Sequence, residues 1–416
     1  MTSNVHDTHY DIVIAGGGMI GSSLALALAP LGLRIAIVEP VPRSAVAQPS
    51  FDDRFTALSR SSQRAFEAMG IWPDIAAAAT PITRIHVSDQ GRFGFSHIDA
   101  EEQGVEALGY VVINRVLGTV LQQALSYVEA LDILGPARIV ATQVGPEHAA
   151  VTTEDDDGRA RALNCHLLVA ADGANSSVRD MVGIAARKVD YEQCAVVGNL
   201  LPEKCLANCA YERFTEQGPL ALLPMGEDRA GFVWTVSAKD AERVLALDAA
   251  SFLKELQAAF GYRLGSLSRV GKRSAYPLTL TKALRLTAPR AVLVGNAAHG
   301  LHPVAAQGFN LGLRDVAALC DCIADAVSAA GGHADVGSTG ILERYADWRR
   351  SDQKKLVGFT DGLVRLFGHP SRPVRALRNI GMLGFDLVPG VRSLFARHTM
   401  GLAGRLPRLS RGVPLA

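Results

Sequence analysis

The sequence predicts an α/β protein in which a doubly wound domain with a parallel sheet carries an inserted antiparallel-sheet domain. Three short apolar runs end at glycine-rich turns that precede helix-like patterns, at residues 10–15, 166–171 and 291–294. Segments 82–95 and 195–237 alternate apolar and polar residues, as antiparallel strands do. The carboxyl ends of parallel strands share one sheet edge, where ligands bind. We therefore expect one ligand site assembled from distant parts of the chain.

The length of the chain supports two domains, and its charge balance excludes one class of partner. At 416 residues the chain exceeds the usual size of a single core. The 42 Lys and Arg balance 41 Asp and Glu, so the composition indicates no nucleic-acid partner. We predict three regions: a discontinuous first domain (1–80, 105–185 and 275–365), a sheet-bearing substrate domain (81–104 and 186–274) and a basic helical C-terminal region (366–416).

The cysteines argue against a metal-binding protein, and the sequence around the apolar N-terminal stretch argues against a membrane-spanning one. The six cysteines include no CxxC pair and no nearby histidine cluster, which predicts free thiols, no metal site and a cytoplasmic location. Residues 12–33 are uncharged and long enough to span a membrane. Acidic residues precede this stretch and glycines interrupt it, so a buried strand, turn and helix explain it better.

The first glycine-rich turn fits GxGxxG between a strand and a helix. Gly16 permits the tight turn, Gly18 lets the backbone approach a pyrophosphate, and Gly21 lets helix and strand pack closely. Glu39 closes the second strand 18 residues later, where an acid accepts a hydrogen bond from a ribose hydroxyl. The motif predicts dinucleotide binding and leaves FAD and NAD both open.

A second stretch, ADGANSSVR, follows the next parallel strand. It places Asp172 and the flexible Gly173 at the predicted ligand edge. An ordinary strand-to-helix turn, capped by Ser176 or Asp172, explains the same residues equally well. Both interpretations stay open at this stage.

The third stretch, GNAAHGLHPVAAQGFNLGLRD (295–315), points to the cofactor. Gly295, Asn296 and the following small residues let the chain pass close to a flat ring, and a helix is expected to begin near Gly308. Free amides at a helix start favour a ring that becomes negative on reduction, as an isoalloxazine does. This interpretation selects FAD, with its pyrophosphate on the first glycine turn and its flavin on the last.

Several polar side chains are candidates for a role near the substrate. His299 and His302 lie in the third stretch, and imidazole titrates near neutrality, so either could move a proton of a bound substrate. Each could equally hydrogen-bond its own loop. Tyr211, Arg213 and Tyr276 are candidates for the substrate pocket, with strand packing as the alternative.

Taken together with DDRFTALS (52–59), the three motifs resemble the FAD-dependent aromatic hydroxylases typified by p-hydroxybenzoate hydroxylase. Four more stretches are similar to the ubiquinone-biosynthesis branch, and within it to the 2-polyprenyl-6-methoxyphenol hydroxylases: HVSDQG (86–91), YERFTEQGPLALLPM (211–225), GKRSAYPLTL (271–280) and FTDGLVRLF (359–367). The resemblance covers residues from about 10 to about 400. The separation of these motifs makes chance agreement improbable.

The resemblance assigns cofactor contacts residue by residue. It places the AMP half of FAD on Gly16, Gly18, Gly21 and Glu39. It places the pyrophosphate or flavin near Arg54, the flavin chain near Asn114, and both FAD and the nicotinamide donor near Asp172 and Gly173. It lines the flavin with Pro303, Gly308, Phe309 and Asn310. One departure is Asn296, where the family has Asp; an amide still donates and accepts there.

The resemblance also implies a reaction. NADH or NADPH reduces FAD, dioxygen gives a flavin hydroperoxide, and one oxygen atom passes to 2-polyprenyl-6-methoxyphenol to form the benzoquinol. One alternative is hydroxylation at another ring position in the same pathway. Two others are an FAD reductase of isoprenoid lipids that uses no oxygen, and a flavin-binding scaffold without turnover.

The C-terminal region is basic. From residue 366 onward it contains one acidic residue, Asp386, and eight arginines, at positions 372, 375, 378, 392, 397, 405, 408 and 411. Apolar residues interleave with them, which suits peripheral contact with an anionic membrane surface. Surface helices packed on the main body are the alternative. The expected partners are a polyprenyl phenol and other enzymes of ubiquinone biosynthesis.

Overall fold

A mixed sheet with five parallel strands forms the first layer of the protein. The computed structural model describes residues 8–42, 52–91, 95–300, 307–332, 334–352 and 389–415. In spatial order the strands are Thr287–Ala288, Ala291–Leu293, Ala160–Ala170, Thr8–Ala15, Ile35–Val38 and Leu131–Leu134. The last five run parallel to one another, and Thr287–Ala288 is antiparallel to Ala291–Leu293. Two antiparallel strands extend the sheet beside Ala160–Ala170: Ala149–Asp155 and Ala137–Val144.

The parallel strands lack alternation because both of their faces are covered. Ile12, Val13 and Ile14 are all fully buried, as expected of a strand between two helical layers. The helix after this strand begins at Met19, so Gly21 lies inside its first turn. The second predicted strand is longer than expected. Its first half, from Ala160, forms an antiparallel hairpin with Ala149–Asp155.

A second, antiparallel sheet forms the other layer. In spatial order its strands are His299–Gly300, Ser274–Ala283, Ala186–Pro202, Arg229–Ser237, Gly218–Met225, Cys209–Thr215, Arg84–Asp89 and Phe95–Asp99, with Leu267–Ser268 beside Ala186–Pro202. One pair in it is parallel, Cys209–Thr215 with Arg84–Asp89. A small antiparallel sheet joins the layers and contains Phe55–Ser59, Gly109–Ile113 and Thr80–Ile82.

One strand crosses the predicted domain boundary at residue 275. The predicted boundary puts residues 275–283 of strand Ser274–Ala283 in the first domain, yet the strand pairs along the second sheet with Ala186–Pro202. It also pairs with His299–Gly300, which belongs to the third glycine-rich stretch. The sequence gives no sign of this pairing, because a strand's partner depends on the whole fold. The domain limits themselves remain a prediction.

The helices cover the outer faces of the two sheets. Their bounds are Met19–Leu28, Arg60–Ala68, Trp72–Ala76, Asn114–Leu125, Ser177–Met181, Ala238–Ala246, Ala249–Phe260, Gln307–Ala329 and Pro389–Thr399, and residues 339–352 are also helical. The helix at Gln307–Ala329 starts where the third motif predicts it. All six cysteines lie within the described residues and are free thiols. No helix of the described part is long and apolar enough to cross a membrane.

The C-terminal segment 389–415 packs on the main body. Ala396 and Met400 are buried in a cluster with Ile98, Ala100 and Leu108 of the second layer. On the other side, the guanidinium of Arg408 forms ion pairs with Asp321 and Asp325 of the long helix. These contacts follow the packing alternative for this part of the tail. Residues 366–388, with three of the eight arginines, lie outside the described residues.

Shortening Met400 should therefore destabilise the protein. Met400 is 2% exposed, so Met400→Ala removes buried contacts and leaves a cavity, at a cost of about 2–5 kcal/mol in the free energy of unfolding. Urea unfolding measures this change. The control is Leu394→Ala on the preceding helix, where Leu394 is 59% exposed and a change within about 0.5 kcal/mol is expected. Equal effects of the two variants would contradict the observed docking.

Candidate cofactor and substrate site

A cleft of about 850 Å³ opens at the carboxyl edge of the parallel strands and extends to the second sheet. The three glycine-rich stretches meet along one side of it. Of the residues predicted to bind the cofactor, ten line this cleft: Gly16, Gly18, Glu39, Arg54, Asn114, Asp172, Gly173, Asn296, Gly308 and Phe309. Pro303 and His302 lie outside the described residues. The site is thus assembled from distant parts of the chain, as the strand pattern predicts.

The first glycine turn leaves no room for side chains. Gly16 has a φ of +98°, and a Cβ there would lie 2.7 Å from the carbonyl oxygen of Ala171. A Cβ on Gly21 would lie 1.9 Å from the carbonyl oxygen of Gly16. Both approaches are far inside van der Waals contact, and the positive φ favours glycine further. Gly21 therefore shapes the turn from behind and does not line the cleft.

The amides at the start of helix Met19–Leu28 remain available to a ligand. Gly18 is the N-cap, and no side chain among the described residues caps the helix. Unpaired amides and the positive end of the helix dipole form an anion site, as a pyrophosphate requires. Glu39 holds the turn in place, because its carboxylate accepts from the N–H of Gly17 at 2.5 Å and of Val41 at 2.9 Å. Each carboxylate oxygen keeps a further acceptor position for a ribose hydroxyl.

The second stretch combines a helix cap with a free carboxylate oxygen. Ser176 caps helix Ser177–Met181 by accepting from the N–H of Arg179 at 2.9 Å, as the strand-to-helix interpretation predicts. Asp172 Oδ2 accepts from the N–H of Val178 at 3.2 Å. Asp172 Oδ1 is buried and has no hydrogen-bond partner among the described residues. A buried acceptor on the wall of a cleft needs a donor, and a ligand hydroxyl would supply it.

The third stretch brings a tightly packed loop and the start of a helix to the cleft. Gly295 has a φ of +59°, and a Cβ on Gly312 would lie 3.1 Å from its Cα, so loop and helix pack with little space between them. Asn296 is exposed and lines the cleft. Gly308 and Phe309 line it at the start of helix Gln307–Ala329. The first amides of this helix are thus placed beside the cleft, where they favour negative charge.

Asn310 differs from its predicted role, because its side chain does not line the cleft. Its Oδ1 accepts from the N–H of Ser59 at 2.8 Å and from the hydroxyl of Ser62 at 2.7 Å. Its Nδ2 donates to the carbonyl of Ala57 at 2.9 Å. Asn310 therefore ties the long helix to the strand Phe55–Ser59. A sequence motif places a residue near a ligand but does not show which way its side chain turns.

Arg54, Asn114 and Tyr276 form a polar bridge across the cleft. The guanidinium carbon of Arg54 lies 4.6 Å from the ring centroid of Tyr276, a cation–π contact, and Arg54 also pairs with Asp52. Asn114 is buried and accepts from the hydroxyl of Thr56 at 2.6 Å. These contacts join the first layer to the second sheet. A flat ring bound between the first layer and the second sheet would meet polar groups on only one of its two sides.

The side of the cleft formed by the second sheet is mostly apolar. Besides Tyr276, it presents five small or branched side chains that sequence reasoning missed: Ala195, Val197, Leu223, Val233 and Leu278. Alternation along the strands could have identified their common face. It could not show which of the two faces meets the first layer, because that depends on how the sheets pack.

Tyr211 and Arg213, predicted to face the substrate, lie on the opposite face of this sheet. The ring of Tyr211 is 5.9 Å from that of Phe260, and burial raises the pKa of its hydroxyl to about 12. Arg213 Nε donates to the carbonyl of Ala259 at 3.1 Å. Both residues pack against helix Ala249–Phe260. The strand-packing alternative therefore describes them, and Tyr276 is the one of the three that lines the cleft.

His299 belongs to a buried charge network and does not line the cleft. Its Nε2–H donates to Asp315 Oδ2, which also accepts from the N–H of Gly295 at 3.0 Å. Arg349 Nε donates to Asp315 Oδ1 at 2.6 Å. Burial alone would raise the pKa of Asp315, but the charges and hydrogen bonds of His299 and Arg349 outweigh it and lower the pKa. His299 thus ties its loop to helix Gln307–Ala329 through Asp315, a contact that neither of the two predictions for this side chain describes.

The cleft fits FAD on the evidence of its own atoms. Uncapped amides at a helix start, an unpaired buried oxygen on Asp172 and glycines whose Cβ atoms would collide with backbone are all explained by an extended dinucleotide. The second, apolar wall suits an aromatic substrate beside the flavin. Fold and site together define a flavoprotein of the aromatic-monooxygenase class.

Comparison with known proteins identifies the family. The FAD binding domain family matches residues 9–360, and the chain belongs to it. The protein is an NAD(P)H-dependent FAD monooxygenase, with dioxygen as co-substrate. The chain is 38% identical to ubiquinone hydroxylase UbiL of Rhodospirillum rubrum over 409 residues, which cover 97% of this chain and 93% of that protein.

Two further similarities agree with this assignment. The 3-demethoxyubiquinol 3-hydroxylase of Escherichia coli is 31% identical over 398 residues, covering 94% of this chain and 98% of that protein. The crystal structure of p-nitrophenol 4-monooxygenase from Pseudomonas putida superposes with a TM-score of 0.78 at 18% identity, covering 96% of this chain and 99% of that one. The structural similarity supports the fold.

Gly21→Ala should abolish retention of FAD. The new Cβ would overlap the carbonyl oxygen of Gly16, so the turn must open and the pyrophosphate amides lose their alignment. The flavin absorbance of purified protein measures the result, and we expect colourless but folded protein. Gly340→Ala is the matched control, because a Cβ there meets nothing within 4 Å. A yellow Gly21→Ala protein would refute this account of the turn.

Asp315→Asn should destabilise the protein by about 3–5 kcal/mol at neutral pH, because it removes the buried carboxylate that pairs with Arg349 and His299 and leaves Arg349 with Asp352 alone as counter-charge. Since folding lowers the pKa of Asp315, its contribution is complete above the ordinary Asp pKa of about 3.9 and is lost as pH falls through the folded value. Denaturant unfolding at several pH values tests both points. Asp347→Asn, in an exposed pair with Arg350, should change stability by at most about 1 kcal/mol. A cost that does not shrink in acid would contradict the ionised state of Asp315.

Proposed function

We propose that the protein hydroxylates a polyprenylated phenol in ubiquinone biosynthesis, converting 2-polyprenyl-6-methoxyphenol to 2-polyprenyl-6-methoxy-1,4-benzoquinol. The observation that carries the proposal is the two-sided cleft, with dinucleotide-binding motifs on one side and an apolar wall on the other. Similarity to a ubiquinone hydroxylase and a demethoxyubiquinol hydroxylase supports the pathway. The specific phenol and the ring position rest on the sequence resemblance described above.

The residues of the chain would divide the work of binding and catalysis. The helix start at Met19 and the free oxygen of Asp172 hold the dinucleotide, and the helix start at Gln307 favours negative charge on the flavin ring. Bound FAD supplies the electron transfer and the activation of dioxygen. The apolar wall around Val197 and Val233 excludes water from the reacting ring, which protects reactive intermediates from decay.

Access of a lipid substrate is consistent with the basic C-terminal region. A prenyl chain partitions into the bilayer, so contact of the protein with an anionic membrane surface would shorten the path of the substrate. Leu394 is exposed on helix Pro389–Thr399, among arginines at 392 and 397. We include peripheral membrane contact, and association with other enzymes of the pathway, as parts of the proposal.

The test is product analysis under labelled dioxygen. Purified protein should show a flavin spectrum, and NADPH or NADH oxidation should be stimulated by a short-chain 2-prenyl-6-methoxyphenol, with one labelled oxygen atom in the ring. Product structure then identifies the ring position. Oxidation of the nicotinamide without label in any product would favour a reductase of isoprenoid lipids. Retained flavin without stimulated oxidation by any phenol would favour a scaffold role.

Narrowing the apolar wall should separate substrate binding from cofactor binding. Val233→Phe adds volume at the cleft face, so we expect product formation to fall by about tenfold or more while the flavin stays bound. Tyr211→Phe on the opposite face of the same sheet is the control and should change product formation little. Activity and flavin content are measured on both proteins. If Tyr211→Phe lost more product formation than Val233→Phe, our proposal would have the substrate on the wrong face of the sheet.

A further inference from the structure

Glu212 places a carboxylate on the face of the second sheet that forms the cleft wall. In strand Cys209–Thr215, Glu212 pairs with Ala221, Ala221 pairs with Val233, and Val233 pairs with Val197. Directly opposed residues of a sheet point to the same face. Val233 and Val197 line the cleft, so the Glu212 side chain shares the face of the cleft wall.

Glu212 is not itself among the residues that line the cleft, but it lies one strand away from one of them. Leu223 lines the cleft on the adjacent strand, two residues beyond Ala221. Such a diagonal neighbour lies about 7–8 Å away, within the reach of a long side chain. The flexible Glu side chain can therefore approach a ring bound against Leu223. Tyr211 and Arg213, the sequence neighbours of Glu212, point to the other face of the sheet.

The Glu212 carboxylate has no partner within the described part of the chain. It makes no hydrogen bond and no ion pair there, and it is half-buried between Val87 and Ala221 on the flanking strands. Of the titratable groups around it, Asp89 lies on the same face of the neighbouring strand, Tyr276 lies farther along the same sheet face, and Arg54 lies across the cleft.

A purely structural role would not explain this arrangement. A carboxylate in apolar surroundings costs free energy unless it is paired, and most buried polar groups are paired. An unpaired acid on a cleft face is instead typical of a group that meets a ligand. The only polar atom on a simple prenylated phenol that can donate a hydrogen bond to it is the phenolic hydroxyl.

We propose that Glu212 accepts the proton of the phenolic hydroxyl when the substrate is bound. The inference rests on the proposed function. In this step the O–H bond of the phenol breaks, its electron pair stays on the phenolate oxygen, and a new O–H bond forms on the Glu212 carboxylate. No oxidant or reductant takes part. The phenolate ring is richer in electrons than the phenol, which favours its attack on an electrophilic oxygen.

The environment of Glu212 suits a proton acceptor near neutral pH. Burial in the apolar face raises the pKa of its carboxyl to about 7. A general base works best when its pKa lies close to the operating pH, because it is then both ionised and basic. The group is neutral well below pH 7 and ionised above it, so activity that depends on it should rise with pH through this value.

The test compares Glu212→Gln with the wild type, using a short-chain 2-prenyl-6-methoxyphenol between about pH 5 and about pH 9. In the wild type, kcat/KM for the phenol should rise with a midpoint near pH 7, because this ratio reports the pKa of the free enzyme. In Glu212→Gln, we expect kcat to fall about a hundredfold, the rise with pH to disappear, and both KM and flavin content to change little. Full coupled hydroxylation with an unchanged pH profile would overturn the proposal.

Two controls keep the result specific. Glu216→Gln makes the same chemical change at the exposed turn after this strand and should retain wild-type activity and pH dependence. If the wild type hydroxylates no phenol, the proposed function fails, and Glu212 is then judged by binding. Titration of flavin absorbance should show that the wild type above pH 7 prefers the phenol over its methyl ether by about tenfold or more, and that Glu212→Met loses this preference. An equal preference in the two proteins would refute the role of Glu212.

Discussion

The carboxylate of Asp315 holds together the parts of the molecule that form the site. It accepts from the backbone of Gly295, from His299 and from Arg349, all in the protein interior. Three separate elements thereby meet at one buried charge. Such a charge is tolerated only when its partners satisfy it, so each partner is held in place by the cost of losing the others.

Through these partners, the hydrogen bonds and ion pairs around Asp315 extend beyond the loop that contains Gly295 and His299. His299 pairs with Lys282 of the second sheet, which connects the loop to the substrate side of the cleft. Arg349 also donates to Asp352, which pairs with Arg314, and the Arg314 guanidinium donates to backbone carbonyls of the C-terminal segment. One ionic cluster therefore fixes the flavin loop, the second sheet and the C-terminal segment relative to one another.

Much of the fold and of the cofactor side of the site could be predicted from sequence, because these features are local. The strand, turn and helix around Gly16 follow from apolar runs and glycine spacing, and the helix start near Gly308 follows from the same kind of pattern. Our sequence analysis did not predict the roles of Arg349 and of strand Ser274–Ala283, whose partners are far away in the chain. It also did not find Glu212, because the face of a strand that meets the cleft is set by the packing of two layers.

The contrast between the two walls of the cleft is the common physical basis of the proposed hydroxylation and of the proposed proton transfer to Glu212. Helix amides and Asp172 provide a polar side that accommodates a charged dinucleotide, whereas the second sheet provides a side with few polar groups. In the poorly solvated space between them, electrostatic interactions are stronger than in water. An ionisable group on the apolar wall is therefore sensitive to any ligand that can donate a hydrogen bond. The same surroundings that exclude water from the reacting ring also bring the pKa of Glu212 close to neutrality, so protection of the reaction and proton transfer arise from one feature of the fold.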